Sequence, residues 1–403
     1  MHHPLLGTLP LTLLLASSLS GCLPTAGSVP VVSNTFDAPT AVLRVAWRKP
    51  LVTEIPLLSY KPQEFAVAAV TQGEPEPLVF VGSSHGTLHA FHQRTGIEAW
   101  QHAFTGALAS EPLYLPAGVS GPEPLLIVGD DDGALTTLNA RTGKVRWTYR
   151  VRGAIRVRAT VELSESGAPQ KGAGLVYFTS GEGRLYGIDL KTGAWKWQYE
   201  REVPENFTIR GASGPLATGG RVYAGFPDGY LAVLNSSTGE VVWTRQLSGE
   251  ASRFTDVDST PILQDGALFV SSYAGGVFAL DSRDGSTRWR FEMEGAGPVS
   301  LGGGRVYAVS AQSGVHCLDR KGHLLWHQAM ANQGELAAPV LLGSHLLVSA
   351  ASGGLFVADA GSGRLQQFFD AGLGQTGRPA ISEDGRYVFV LTNAGAFFAL
   401  TTS

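Results

Sequence analysis

Two short segments carry the side chains best suited to recognition chemistry. Arg253-Phe-Thr-Asp-Val-Asp-Ser-Thr-Pro261 sets two carboxylates, Asp256 and Asp258, two residues apart. In extended backbone that spacing points both to one side. Asn206-Phe-Thr-Ile-Arg-Gly211 sets Phe207 and Ile209 at the same spacing, beside Arg210. An apolar pair rimmed by one guanidinium and two carboxylates has the composition of a protein-docking patch. The same groups could instead be structural, because capping turns is the common work of Asp in loops. The sequence leaves both readings open.

Other reactive groups are sparse. Asp130-Asp131-Asp132-Gly133 is the densest acidic run and is expected to be a solvated hairpin turn. His85, His89 and His92 sit in and around one strand, which suits either a metal site or solvated and cross-strand histidines. The two cysteines, Cys22 and Cys317, form neither a disulfide framework nor a four-ligand zinc site. Cys317, between His316 and Leu318 in a strand, reads as a small packed hydrophobe. Phosphate-loop spacing and a His-Glu-x-x-His pair are both absent from the chain.

What positions these groups is a repeat. Val222 to Trp243 reads as an apolar strand, a Pro-Asp-Gly turn, an alternating strand, a Ser-Thr-Gly turn and a strand ending in Trp. Val79–Trp100, Ile127–Trp147, Val176–Trp197, Leu268–Trp289 and Val306–Trp326 match it, and Leu346–Phe368 matches with Phe in place of Trp. The glycine before the last strand falls at Gly96, Gly143, Gly193, Gly239, Gly285, Gly322 and Gly363, at intervals of 47, 50, 46, 46, 37 and 41 residues. Periods near forty with all-strand content predict the blades of a β-propeller. A further strand precedes each copy, opened by Pro112, Pro215, Pro261, Pro298, Pro339 or Pro379 in six of them; the third has Ile155-Arg156-Val157-Arg158 instead.

Val42 to Trp47 looks like the last strand of a repeat, and Tyr387 to Leu400 supplies the middle strands of a repeat that lacks its last. Together they complete an eighth blade, so the expected fold is all-β: an eight-bladed propeller of four-stranded antiparallel blades over residues 41–403, closed by its N-terminal strand. The tryptophans should pack between blades. Arg210 and Asp256/Asp258 precede the inner strands of adjacent blades, which places them side by side on one face. The 51 glycines serve the turns, and a net charge of 30 − 34 = −4 argues against a nucleic-acid partner.

The first 21 residues hold no Asp, Glu, Lys or Arg, and Leu5 to Leu19 is apolar but short of the ~20 residues that span a bilayer. Leu19-Ser-Gly-Cys22 resembles the bacterial lipobox, in which the chain is cut before the Cys and the Cys is then acylated. Several acyl chains anchor firmly where one is marginal. The alternative is an ordinary signal peptide in which Cys22 is incidental; the leader Met1-His-His-Pro4 lacks the usual basic residues. Residues 22–40 are Pro/Ser/Thr/Ala-rich and read as a lipidated tether reaching ~25 Å.

Gly187-Ile-Asp-Leu-Lys-Thr-Gly-Ala-Trp-Lys-Trp197 resembles the quinoprotein-type propeller repeat, shared by pyrroloquinoline-quinone enzymes and by non-enzymatic proteins. The enzymes imply a vicinal Cys-Cys pair and calcium-binding carboxylates; the chain has no Cys-Cys. The Asp-Val-Asp segment, one blade after Ile-Arg-Gly, resembles the BamB family of outer-membrane assembly lipoproteins, over essentially the whole chain. That resemblance implies a non-enzymatic scaffold without cofactor, anchored by Cys22 at the periplasmic face of the outer membrane. By resemblance its partners are BamA, met through the POTRA region at Phe207, Ile209, Arg210, Asp256 and Asp258, the other subunits of the barrel-assembly complex, and nascent barrel strands. Leu23, where Asp would favour inner-membrane retention, fits the outer membrane. A different envelope propeller that binds protein or carbohydrate shares the fold and the anchor.

Overall fold

Every repeat becomes one sheet. The computed structural model describes residues 41–51, 66–164, 166–201, 213–247, 256–257, 259–370 and 372–402. The leader, Cys22 and the tether lie outside these residues. Among the described residues all regular structure is strand, gathered into eight four-stranded antiparallel sheets, and in seven of them the strands follow one another in chain order. The fifth sheet is typical: Ile262–Gln264, Ala267–Ser272, Gly276–Asp281 and Thr287–Phe291. Its two middle strands are buried at every position and its outer strand is largely exposed. A middle strand is covered on both faces by neighbouring sheets, so the two-residue alternation of a one-sided sheet disappears.

The core is divided into eight apolar clusters, each interleaving side chains of two adjacent sheets. One of them joins Val79 and Phe91 of the first blade to Phe389 and Phe397 of the last, so the ring is closed. The expected closure is observed. Leu43–Pro50 is the outermost strand of the eighth sheet and pairs antiparallel with Ala396–Thr402, from Leu43 opposite Thr402 to Pro50 opposite Ala396. Its bulge between Val45 and Trp47 recurs between the third and fourth strands of every blade. The strand Leu43–Pro50 therefore obeys the same register rule as the fourth strand of any other repeat.

The tryptophans lock one blade to the next, as their spacing predicts. The Cβ of an alanine at Gly239 would lie 2.7 Å from the indole of Trp197, and Gly96, Gly143, Gly193, Gly285, Gly322 and Gly363 meet Trp47, Trp100, Trp147, Trp243, Trp289 and Trp326 in the same way. All seven glycines have positive φ. The turn thus demands glycine twice, for its backbone and for the ring lying on it. Of these seven indoles, each N–H except that of Trp243 donates to a carbonyl of the turn in the next blade, for example Trp197 to Ser236 at 3.0 Å and Trp289 to Arg320 at 2.9 Å. Opposite Trp243 the equivalent carbonyl, Ser282, accepts from Arg221 Nη1 at 2.9 Å instead.

One expectation is corrected. The tryptophan position of the seventh blade is filled by Gln367, which pairs with Val357, and not by Phe368, which is exposed. The eighth blade takes its third and fourth strands from opposite ends of the chain, so it offers no glycine turn to receive an indole. It offers the peptide edge of Leu43, whose N–H donates to Gln367 Oε1 at 2.8 Å and whose carbonyl accepts from Gln367 Nε2 at 2.8 Å. A primary amide satisfies both groups at once.

Candidate functional site

The loops that lead into the inner strands share a face with the turns between the second and third strands. In four of them a two-residue step rivets adjacent blades. The first residue accepts a hydrogen bond from the turn of its own blade, and the second donates to the turn of the preceding one. The steps are Ala107-Leu108, Ala154-Ile155, Asp256-Val257 and Gly374-Gln375. Asp256 O accepts from Tyr273 N–H at 3.2 Å, and Val257 N–H donates to Phe226 O at 3.2 Å. Val257 packs so closely on Gly225 that a Cβ there would stand 2.3 Å from the Val257 carbonyl.

Asp256 therefore sits where the other three steps carry Ala, Ala or Gly. The riveting is done by main chain, and it does not need a carboxylate. The Asp256 side chain is nevertheless fully buried, at 0% exposure. The expectation that Asp256 stands exposed on a docking rim is corrected: its position in the step lies between two hairpin turns that close over it.

Asp258, Phe207, Ile209 and Arg210 lie outside the described residues. The ends of their segments are well fixed. Arg201 Nε donates to Asp228 Oδ2 at 2.5 Å and its guanidinium lies 4.1 Å from the centre of the Tyr230 ring. Ser213 O accepts from Thr179 Oγ1 at 2.8 Å, and Ser213 N–H donates to Gly225 O at 3.2 Å. A Cβ on Gly214 would meet Thr260 Oγ1 at 2.7 Å, so the stems following Arg210 and Asp258 touch.

Asp130 is also corrected, from a solvated turn residue to a buried cap. It is 1% exposed, and its Oδ1 accepts from Ala134 N–H at 2.8 Å. Burial raises its carboxyl above the usual range. The loop entering the second blade covers this turn, with Asp131 N–H donating to Ala107 O at 3.0 Å. Asp131 itself takes a two-point contact from Arg156, at 2.9 and 3.0 Å. His89 Nδ1 lies 2.7 Å from Glu98 Oε1 on the adjacent strand, a cross-strand pair. Burial pushes the Cys317 thiol up to about 12, which suits packing and not nucleophilic chemistry.

A second charged cluster escaped the sequence reading. Arg378, Glu111 and Arg158 occupy the position just before the inner strands of the eighth, second and third blades. Arg378 Nη2 donates to both oxygens of Glu111, at 2.8 and 2.7 Å, and Arg158 Nε stands 3.5 Å from Glu111 Oε1. Burial alone would raise the Glu111 carboxyl, but the two guanidinium groups outweigh it and hold the acid below its usual range. The departure of Ile155-Arg-Val-Arg158 from the proline rule was the one available signal.

A family model described as outer membrane protein assembly factor BamB matches residues 84–284 and 274–403. The chain is similar to outer membrane protein assembly factor BamB of Yersinia pestis, 28% identical over 236 residues, covering 57% of this chain and 59% of the relative. It is similar to that of Kangiella koreensis, 34% identical over 139 residues, covering 33% and 36%, and to that of Escherichia coli, 28% identical over 204 residues, covering 49% and 51%. The chain thus spans at most about three fifths of the length of these relatives, 59% for Yersinia pestis. Among solved structures, BamB of Moraxella catarrhalis has a TM-score of 0.72 at 22% identity, covering 89% of this chain and 100% of that one. A europium-containing methanol dehydrogenase has a TM-score of 0.66 at 13% identity, covering 89% and 93%. At these identities both are likenesses of fold. The family match extends over both halves of the ring, and the chain belongs to the family of outer membrane protein assembly factor BamB.

Proposed function

We propose that this protein is a non-enzymatic scaffold of the outer-membrane β-barrel assembly complex, anchored at the periplasmic face of the outer membrane through acylated Cys22. It holds BamA through the POTRA region, on the face where the loops enter the inner strands of the fourth and fifth blades. The observation that carries this reading is the family match over residues 84–403. The contact between the stems at Gly214 and Thr260 supports a single patch built from Phe207, Ile209, Arg210 and Asp258. Asp256 is buried, and its main-chain step joins the fourth and fifth blades beneath this face. The outer strands are each paired on one side only, and a nascent barrel strand could add to such an edge.

Co-purification from detergent-solubilised envelope tests the reading. Wild-type protein should retain BamA, and Arg210→Glu or Asp258→Lys should lose most of it while remaining folded by circular dichroism. Undiminished BamA in both variants would sink the docking assignment. Asp256 is unsuitable for charge reversal because it is buried. In the same preparation Cys22→Ser should leave the membrane fraction, and its persistence there would remove the acyl anchor.

A further inference from the structure

The central channel holds a cavity of about 400 Å³, within the ~300–1,000 Å³ range of small-molecule sites. Its wall is made by the inner strands of four consecutive blades, the eighth, first, second and third. Ala69, Val70, Leu113, Ala380 and Ile381 give it an apolar lining. At one end stand Glu111, Arg158 and Arg378. At the other lies the turn at 166–169, an insertion that follows the inner strand of the third blade. That turn is braced across to the fourth blade, where Leu163 N–H donates to Ala217 O at 2.8 Å and Thr218 Oγ1 to Leu163 O at 3.0 Å.

The charges at the first end do not balance. Two guanidinium groups face one carboxylate, a surplus of one positive charge. Arg378 is committed to Glu111 by a two-point contact, and Glu111 is nearly enclosed, with 13% of its side chain exposed. Arg158 touches Glu111 only at 3.5 Å through Nε, and its side chain is 46% exposed. Among the described residues its Nη donors have no partner. A guanidinium with an open fork, beside a pocket of mixed lining with an apolar stretch along its inner strands, is matched to the planar oxygens of a carboxylate.

We propose that this cavity binds a small organic acid, its carboxylate received by the open face of Arg158 and its apolar body lying along the inner strands of the eighth, first and second blades. Arg378 and Glu111 act as a fixed pair that holds the mouth of the site and sets its net charge. The site uses neither Asp258 nor Arg210, although it opens on the same face as the docking loops, where a Cβ on Gly214 would stand 3.5 Å from the Arg158 carbonyl.

Titration calorimetry of the folded full-length protein with benzoate and hexanoate tests this, with benzamide and inorganic phosphate as controls. Saturable binding of at least one acid, with benzamide and phosphate weaker, is expected. Arg158→Gln leaves the Arg378–Glu111 pair neutral and should abolish binding without loss of fold. Glu111→Gln removes the competing carboxylate and should tighten binding at least about tenfold, because a like charge within ~4 Å of the ligand is lost. Opposite responses of the two variants support the site. No acid binding to wild type, equal binding of benzamide, preference for phosphate, or an unaltered Arg158→Gln would each overturn it. BamA capture is read separately, so failure here leaves the docking proposal standing.

Discussion

Gly239→Ala separates the two demands that the turn makes on its glycine. Its φ is +75°, and a Cβ would stand 2.7 Å from Cδ2 and Cε3 of Trp197, an indole that is only 5% exposed. Holding an L-residue in left-handed backbone costs about 1–2 kcal/mol. Forcing a methyl against a packed ring adds about 1–3 kcal/mol. Gly219 provides the control, because its φ is +61° and nothing lies within 4 Å of its Cβ position. Gly219→Ala should therefore show the backbone cost alone, and Gly239→Ala should exceed it by about 1–3 kcal/mol. Midpoints of denaturant unfolding at unchanged slope give the comparison. A double-mutant cycle completes it: in a Trp197→Ala background, Gly239→Ala should cost no more than Gly219→Ala, a coupling of about 1–3 kcal/mol. Equal losses for the two glycine variants, or strict additivity with Trp197→Ala, would refute the latch as described.

Gln367→Ala strips both partners from the buried peptide edge of Leu43 and should open the eighth blade locally by about 2–5 kcal/mol. Amide exchange over residues 43–50 should quicken while the strands of the fourth blade keep their protection; unchanged exchange at 43–50 would contradict the clamp. His316 lies against His327, with ring centres 4.3 Å apart. Burial first, and then the neighbouring His327, push its pKa from 6.5 down to about 4. The folded value lies below the unfolded one, so the unfolded chain takes the proton first. Stability conferred by neutral His316 is full above pH ~6.5 and drains away as pH falls to about 4, by about 3 kcal/mol at most. His316→Leu should flatten that stretch of a stability-against-pH curve, and an identical slope in the variant would dismiss the assignment.

Much of the ring was legible because its cause is local. The turn glycine and the indole four residues after it recur at a fixed offset, and that offset has a steric and hydrogen-bonding reason that a reader of the chain can apply. The closing strand was legible for the same reason: Val42 to Trp47 looks like the end of a repeat without its beginning. Gln367 was missed because the match was made by aromatic type, on Phe368; the four-residue step from turn glycine to indole, as from Gly239 to Trp243, lands on Gln367 from Gly363. Asp130 and Asp256 looked exposed because turns usually are; what buries them is the loop of an adjacent blade, which no local pattern announces. The Arg378–Glu111 pair joins residues 267 apart. Only the closed ring brings them together, and the odd Arg158 marked its place without naming its company.

The clasp between the two ends has a consequence for how the molecule is made. Arg44 and Thr401, which touch through a carbonyl and a hydroxyl, are 357 residues apart in the chain. The strand Leu43–Pro50, the first among the described residues, has no mate until the seven-residue strand Ala396–Thr402 has been synthesised. Until then a growing chain carries two raw sheet borders, and the arrival of Ala396–Thr402 turns an open arc into a wheel. Losing those few residues would deprive that strand of its berth and strip from the first and seventh blades the side chains of Phe397 and Phe398 that pack against them.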